Sequence, residues 1–199
     1  MGIVEVIDMI LCHVVPPSDT PRERLPYVTT PFTNTTMLHE AAKNGHRNVI
    51  ERLLEFPNTE VNARALFGYR ALHFAAEGGH CDAIDCLLAA PDIDVNALCE
   101  NGRTPLHLAV TKNHLGATKS LTMAPNIDVS AIGPQGWTPL LYAAHGDRGG
   151  IDRDTSRIIE YLKTVEGVDV HAIDDERATV LHLAALNGTR NVLKSCASI

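Results

Sequence analysis

The residues of this chain that could do chemistry are, first of all, its ten histidines. Seven of them recur in two positions, either directly after a leucine or directly after a glycine or asparagine. They are His39, His73, His107 and His182 in the first set, and His46, His80 and His114 in the second. Most neighbours within a set are 34 residues apart, which indicates successive copies of one stacked unit. Stacked helices lie roughly 10 Å apart, too far for two histidines to share one ion directly. We therefore predict no metal site.

The known catalytic and ligand-binding patterns are incomplete in this sequence. His39-Glu40 lacks the second histidine, at Lys43, that a zinc-protease helix requires. Residues 152–154 contain two aspartates but lack the further ligands and terminal glutamate of a calcium loop. No glycine-rich phosphate loop or nucleophile elbow is visible. We therefore predict a non-enzymatic protein with no cofactor and no small-molecule substrate.

The elements that carry the histidines are repeated along the chain. Leu38, Leu72, Leu106 and Leu140 are separated by 34 residues, and the residues around them recur too. One supersecondary unit is therefore stacked several times. A threonine before the leucine predicts the N-cap of a first helix, and a glycine or asparagine seven residues after the leucine predicts its left-handed end. A second helix follows, with apolar residues at i, i+3 and i+4.

One unit departs from this rule, because Arg70-Ala71 stands where Thr104-Pro105 and Thr138-Pro139 stand later. A missing cap costs a helix about 1 kcal/mol, so we predict a weaker start for the helix after Arg70.

These motifs resemble the ankyrin repeat family. The Thr-Pro-Leu-His, Gly-His, Leu-Leu and Asp-Val-Asn-Ala signatures fall in register over residues 33–199. The resemblance implies an all-α ankyrin repeat solenoid of stacked helix-turn-helix units, with hairpin fingers that project from one side. We predict five repeats, at about 33–63, 64–97, 98–131, 132–172 and 173–199.

Two segments lie outside the regular repeat. Residues 3–15 have the apolar spacing of an amphipathic helix, and a proline-rich connector follows up to residue 32. This helix either caps the first repeat or is a separate partner-binding peptide. Seven extra residues separate the leucines of repeats four and five, and alignment places them between the two helices of repeat four, as a mobile loop.

The bulk composition excludes some partners. The net charge is −7 and no run of Lys or Arg occurs, which disfavours nucleic acid. No long uncharged apolar window predicts membrane insertion. Five cysteines without framework spacing predict a reducing, cytoplasmic setting, with the nucleus or a host cytosol left open. We expect Cys99 to be accessible in a finger, and Cys81, Cys86 and Cys196 to be small buried residues.

The family resemblance implies that function lies at the positions that vary between repeats, namely the fingers and the exposed face of the first helices. The predicted partner-binding residues are Arg64, Leu66, Phe67, Tyr69, Glu77, Leu98, Glu100, Arg103, Lys112, Ile132, Gln135, Trp137 and His145. Six of these form what we call the apolar band: Leu66, Phe67, Tyr69, Leu98, Ile132 and Trp137. Interface cores are enriched in such residues.

Alternatives to this interpretation are that Phe67 and Tyr69 only brace an irregular hairpin, and that Trp137 packs on the next finger. For the function of the chain, we predict a module that binds a protein or peptide. The alternative is the targeting segment of a larger enzyme or of a secreted bacterial effector.

Asn62 and Asn96 are preceded by Val, by an acid at i−2 and by Leu at i−8. This pattern is similar to that of ankyrin-protein substrates of asparaginyl hydroxylases. The simpler interpretation is that both side chains only hydrogen-bond the turn of a finger.

Overall fold

The computed structural model describes residues 33–146 and 153–186. Within these ranges the chain forms nine α-helices and no β-strand. The helices are α1 (Met37–Lys43), α2 (Arg47–Leu54), α3 (Ala71–Gly78), α4 (Cys81–Leu88), α5 (Pro105–Thr111), α6 (Leu115–Thr122), α7 (Pro139–His145), α8 (Arg153–Leu162) and α9 (Val180–Leu186). None of these helices is long and apolar enough to cross a bilayer.

The helices form two layers. The first helices of successive units pack on one another in the order α1, α3, α5, α7 and α9. The second helices pack in the parallel order α2, α4, α6 and α8, and each lies against the first helix of its own unit. This arrangement is the all-α repeat fold that the sequence predicts.

The core between the layers is built mainly from aliphatic side chains, with Tyr142 as an aromatic member. Leu72, Leu106 and Leu140, which define the repeat register, are all almost completely buried. The paired alanines of the first helices, such as Ala75-Ala76, are also buried, and their small side chains let neighbouring helices approach closely.

The predicted helix starts are confirmed. The hydroxyl of Thr104 accepts a hydrogen bond from the amide of His107, and Thr36 and Thr138 cap α1 and α7 in the same way. Arg70 makes no side-chain capping hydrogen bond at α3, as its sequence predicts. The loss is partly offset, because the Arg70 backbone amide still donates to Nδ1 of His73 at 3.2 Å.

The predicted left-handed helix ends are confirmed at Gly45, Gly79 and Asn113, which have φ values of 68°, 71° and 62°. A second reason for glycine is space. A Cβ on Gly45 would lie 2.7 Å from Nδ1 of His80, and one on Gly79 would lie 2.6 Å from the ring of His114. Glycine therefore lets the histidine of the next repeat approach the backbone.

Several predictions fall on residues outside the described ranges. These are the N-terminal helix and connector within residues 1–32, most of the repeat-four insert, and the end of the fifth repeat with Cys196. The repeat boundaries likewise stay a prediction.

Candidate functional site

Three of the histidines that follow a leucine, His39, His73 and His107, join their repeat to the next one. His107 is buried; its Nδ1 accepts from the amide of Thr104 at 3.1 Å, so its Nε2 carries the proton and donates to the Trp137 carbonyl at 3.1 Å. His39 and His73 bond to Ala63 and Arg103 in the same way. Burial lowers the pKa of His73 and His107 to about 4, and it also lowers the pKa of His39. These rings are neutral structural links.

The second set of histidines closes the ends of first helices. Nε2 of His80 lies 3.0 Å from the Lys43 carbonyl, and Nε2 of His114 lies 3.0 Å from the Glu77 carbonyl. These bonds satisfy carbonyls that would otherwise lack a partner at a helix end. No group of three His, Cys, Asp or Glu residues in the described ranges could hold a metal ion.

Four hairpins project from the first-helix layer, and each is closed by a backbone hydrogen bond from its second to its sixth residue. The amide–carbonyl pairs are Ala65–Tyr69 at 2.7 Å, Cys99–Arg103 at 3.0 Å, Gly133–Trp137 at 2.8 Å and Asp174–Ala178 at 3.0 Å. We call them hairpins 64–70, 98–104, 132–138 and 173–179. Neighbouring hairpins are joined too, since the amide of Glu100 donates to the Phe67 carbonyl at 2.9 Å. Together they form the hairpin row.

The expectation that Cys99 is accessible is wrong. Its side chain is only 4% exposed, and the second residues of two other hairpins, Ala65 and Asp174, are buried as well. This position faces inward in these three hairpins. Cys81 and Cys86 are half-buried rather than buried.

Four members of the apolar band are exposed. The exposed fractions are 47% for Leu66, 59% for Phe67, 51% for Leu98 and 72% for Ile132. Ile173 on the last hairpin is 52% exposed and extends the same row, although the sequence analysis did not include it. It occupies the same hairpin position as Leu98 and Ile132, and that register is the signal that could have identified it.

Tyr69 and Trp137, the other two members, are half-buried and pack inward. The ring of Tyr69 lies 5.1 Å from that of Phe74. The indole nitrogen of Trp137 donates to Asp174 of the next hairpin at 3.0 Å, and its ring lies 5.0 Å from Tyr142. Trp137 therefore contacts the next finger, as the second alternative predicts.

The predicted charged and polar residues surround these apolar side chains. Lys112 and Glu77 form an ion pair of 3.6 Å on the exposed face of the first helices. The His145 ring lies 4.5 Å from that of Trp137, and the guanidinium carbon of Arg103 lies 4.9 Å from the centre of the Tyr142 ring. The remaining predicted residues Arg64, Glu100 and Gln135 are exposed on the hairpins.

Asn62 and Asn96 belong to a ladder of bonds between successive repeats. The Asn62 amide group donates to the Asp92 carbonyl at 2.7 Å and accepts from the Asp94 amide at 2.9 Å. Asn96 makes the equivalent pair with the next loop. These bonds give both residues a structural role, but with the loop that follows the second helix of the next repeat and not with the turn of a finger. Hydroxylation at these positions stays a prediction.

Comparison with protein families identifies this architecture. A family model described as "Ankyrin repeats (3 copies)" matches the chain three times, over residues 6–99, 38–133 and 91–153. The chain therefore belongs to the ankyrin repeat family. Ankyrin repeats are in general protein–protein interaction modules, and in general they are not catalytic. No curated protein matches the chain. The first match begins upstream of residue 33, where the sequence analysis placed the start of the first repeat.

Proposed function

We propose that this chain is a non-enzymatic protein-binding module whose partner docks along the hairpin row, with Phe67 as the main apolar anchor. A reducing intracellular setting suits this role, because Cys81, Cys86 and Cys99 are free thiols and disulfides persist mainly in oxidising compartments.

The conformation of Phe67 carries the proposal. Phe67 has φ 60° and ψ 21°, and Gly68 after it also has positive φ. A turn with two positive φ values favours Asn-Gly, because a bulky side chain is strained in the left-handed region. Such strain costs about 1–3 kcal/mol, and it clusters at binding sites and clamps. A large apolar side chain is thus held in solvent at a cost to folding.

The matching position of hairpin 132–138 shows what the turn itself requires. Gln135 there has φ 63°, and Gly136 follows it with positive φ. The backbone is the same, but the exposed side chain is polar. The turn geometry alone therefore does not require phenylalanine, and the choice of Phe67 supports a role in contact with a partner.

The neighbouring side chains support the same assignment. Leu66, Leu98 and Ile132 are exposed on the same row as Phe67, and the hairpins that carry them are adjacent. An apolar centre with a polar border, here including Arg64 and Glu100, is the usual anatomy of a protein interface. Large apolar anchors commonly contribute 2 kcal/mol or more to binding.

The substitution Phe67→Asn tests the proposal, with Gln135→Asn as the matched control at the equivalent turn. Probes are peptides selected from a displayed library of random dodecapeptides panned against the parent chain. We expect Phe67→Asn to weaken binding of the selected peptides at least tenfold, while urea melts show equal or greater stability by about 0.5–1 kcal/mol. Gln135→Asn should likewise keep or raise the stability, because Asn suits the same left-handed turn, but it should leave the binding unchanged. Selected peptides that bind Phe67→Asn as tightly as the parent would move the site off this hairpin.

A further inference from the structure

The middle of the hairpin row carries a cation that has no acidic partner among the residues that the structure describes. Arg103 is the sixth residue of hairpin 98–104, at the position that Tyr69 and Trp137 occupy in the flanking hairpins. Its side chain is half-buried, and its guanidinium carbon lies 4.9 Å from the centre of the Tyr142 ring. Nε of Arg103 is fully buried and has no hydrogen-bond partner. A buried N–H without an acceptor is costly, so this half-buried guanidinium is suited to a ligand that supplies acceptors.

Three acids that could pair with a cation of the hairpin row have other partners. Asp94 pairs with Arg70 at 2.7 Å, Glu77 pairs with Lys112 at 3.6 Å, and Asp174 accepts from the Trp137 indole at 3.0 Å. In the ranges 33–146 and 153–186, no carboxylate lies within 4.0 Å of the Arg103 nitrogens. Arg70 differs from Arg103 in this respect. Its Nε is also buried without a partner, but one of its terminal nitrogens forms an ion pair with the carboxylate of Asp94.

We infer that Arg103 receives a carboxylate of the bound partner, so that the partner is a peptide segment with an acidic residue flanked by apolar ones. This inference rests on the proposed function and specifies its ligand. Arginine presents a planar fork that matches a carboxylate, and stacking on Tyr142 holds that plane in place before binding. Preorganisation of this kind reduces the entropy lost on association.

The charge of the site favours a carboxylate over a phosphate group. Phosphorylated residues carry nearly two negative charges and are usually recognised by clusters of arginines. Here Lys112 is already paired with Glu77, so Arg103 stands as a single cation and not as part of a cluster of arginines. The net charge of −7 also opposes a polyanionic partner.

The row also sets the spacing of the partner residues. Phe67, Arg103 and Ile132 lie on three successive hairpins. Stacked units are roughly 10 Å apart, and an extended chain advances about 3.3 Å per residue. Side chains that reach adjacent hairpins are therefore about three residues apart. The expected motif is an acid with an apolar residue three positions before it and another three positions after it.

The test is a double-mutant cycle with peptides selected from the random dodecapeptide library. We expect selection on the parent chain to enrich the apolar, acidic and apolar residues at this spacing. In synthetic copies of a selected peptide, replacing its acid by the corresponding amide should weaken binding to the parent at least tenfold. The same replacement should have no effect on binding to Arg103→Gln, because the two losses are coupled. Lys119→Gln removes the same charge from an exposed position of α6, in the layer of second helices, and should leave the affinity within about twofold.

Further variants of the peptide and of Arg103 identify which group of the peptide supplies the negative charge. Selected peptides with an amidated C-terminus should bind as well as free acids if an internal Asp or Glu is the ligand, whereas dependence on the free acid would assign the C-terminal carboxylate. A phosphoserine at the acidic position that binds tenfold more tightly than the carboxylate would overturn the assignment. Arg103→Lys, which keeps the charge but loses the fork, should recover only part of the affinity.

The outcomes separate this inference from the proposed function. Peptides that lose binding to Phe67→Asn but show no acidic residue, or no coupling to Arg103, would overturn the carboxylate site and leave the hairpin row as the interface. Peptides that bind Phe67→Asn and Arg103→Gln as tightly as the parent would overturn both. Because the amide replacement alters only the peptide, a fold defect in an Arg103 variant cannot imitate its effect. Failure to enrich any peptide would overturn the assignment of a linear peptide ligand.

Discussion

Hairpins 64–70 and 132–138 have the same backbone but use their side chains in opposite ways. Each has a left-handed residue at its turn, Phe67 or Gln135, and an aromatic residue at its sixth position. In hairpin 132–138 the aromatic residue, Trp137, is tied to the next hairpin through Asp174. In hairpin 64–70 the largest exposed side chain is at the turn itself.

The difference extends to the helices that follow. Hairpin 132–138 leads into α7 through a threonine cap and a proline at the first helical position. Hairpin 64–70 leads into α3 without a side-chain cap, and Arg70 instead pairs with Asp94. The comparison indicates that hairpin 132–138 is built for order within the stack, whereas hairpin 64–70 tolerates strain and a weaker helix start. Natural sequences usually break structural rules where function requires it.

The largest expected effect concerns Trp137. Trp137→Ala removes the ring packed on Tyr142 and the hydrogen bond to Asp174, and should cost about 3–4 kcal/mol of unfolding free energy. Urea melts would measure this loss. Trp137→Phe keeps most of the packing and should cost about 1 kcal/mol through the lost hydrogen bond. A loss below about 1 kcal/mol for Trp137→Ala would remove the structural role that distinguishes this hairpin.

A comparable effect should appear in acid through His107, which holds the Trp137 carbonyl. Its folded pKa of about 4 lies below the ordinary value of 6.5, because burial disfavours the charged ring. Stability is therefore complete above about pH 6.5 and falls as the pH drops toward 4, by about 1.4 kcal/mol per pH unit and about 3 kcal/mol in all. His107→Gln should show a correspondingly flatter pH dependence in melts from pH 7 to 4.

The smallest expected effect tests the weak start of α3. The double change Arg70→Thr and Ala71→Pro restores the cap, worth about 1 kcal/mol, but removes the ion pair with Asp94, worth up to about 1 kcal/mol. The net change should lie within about 1 kcal/mol in urea melts. Asp94→Asn should weaken the parent and leave the double variant nearly unaffected. An equal loss in both backgrounds would show that Arg70 is not the residue that Asp94 stabilises.

Much of the fold could be predicted because the repeat register depends on local rules. Thr104 and Pro105 define a helix start from their own chemistry, and Gly79 defines a helix end through its positive φ. The leucine spacing then assigns the core, since each unit buries the same face. Cys99 shows where such reasoning fails, because no local rule states which way a hairpin residue points.

The candidate site was less predictable than the fold for a related reason. The variable positions follow from the register, but the sequence cannot separate Phe67 from Trp137, since both are aromatic residues in hairpins. Only the contact with Asp174, 37 residues further on, shows that Trp137 faces inward. The same holds for Arg103, whose significance depends on which acids are already paired.

The sequence by itself therefore determined the repeat, its helix boundaries, its buried leucines and the set of residues free to vary, because these depend on short-range geometry and on periodic burial. The tertiary structure alone decided which of those variable residues are exposed and which charge is left unbalanced. Exposure and pairing depend on the neighbouring repeats, where residues more than 30 positions apart meet, and no pattern within one repeat contains that information.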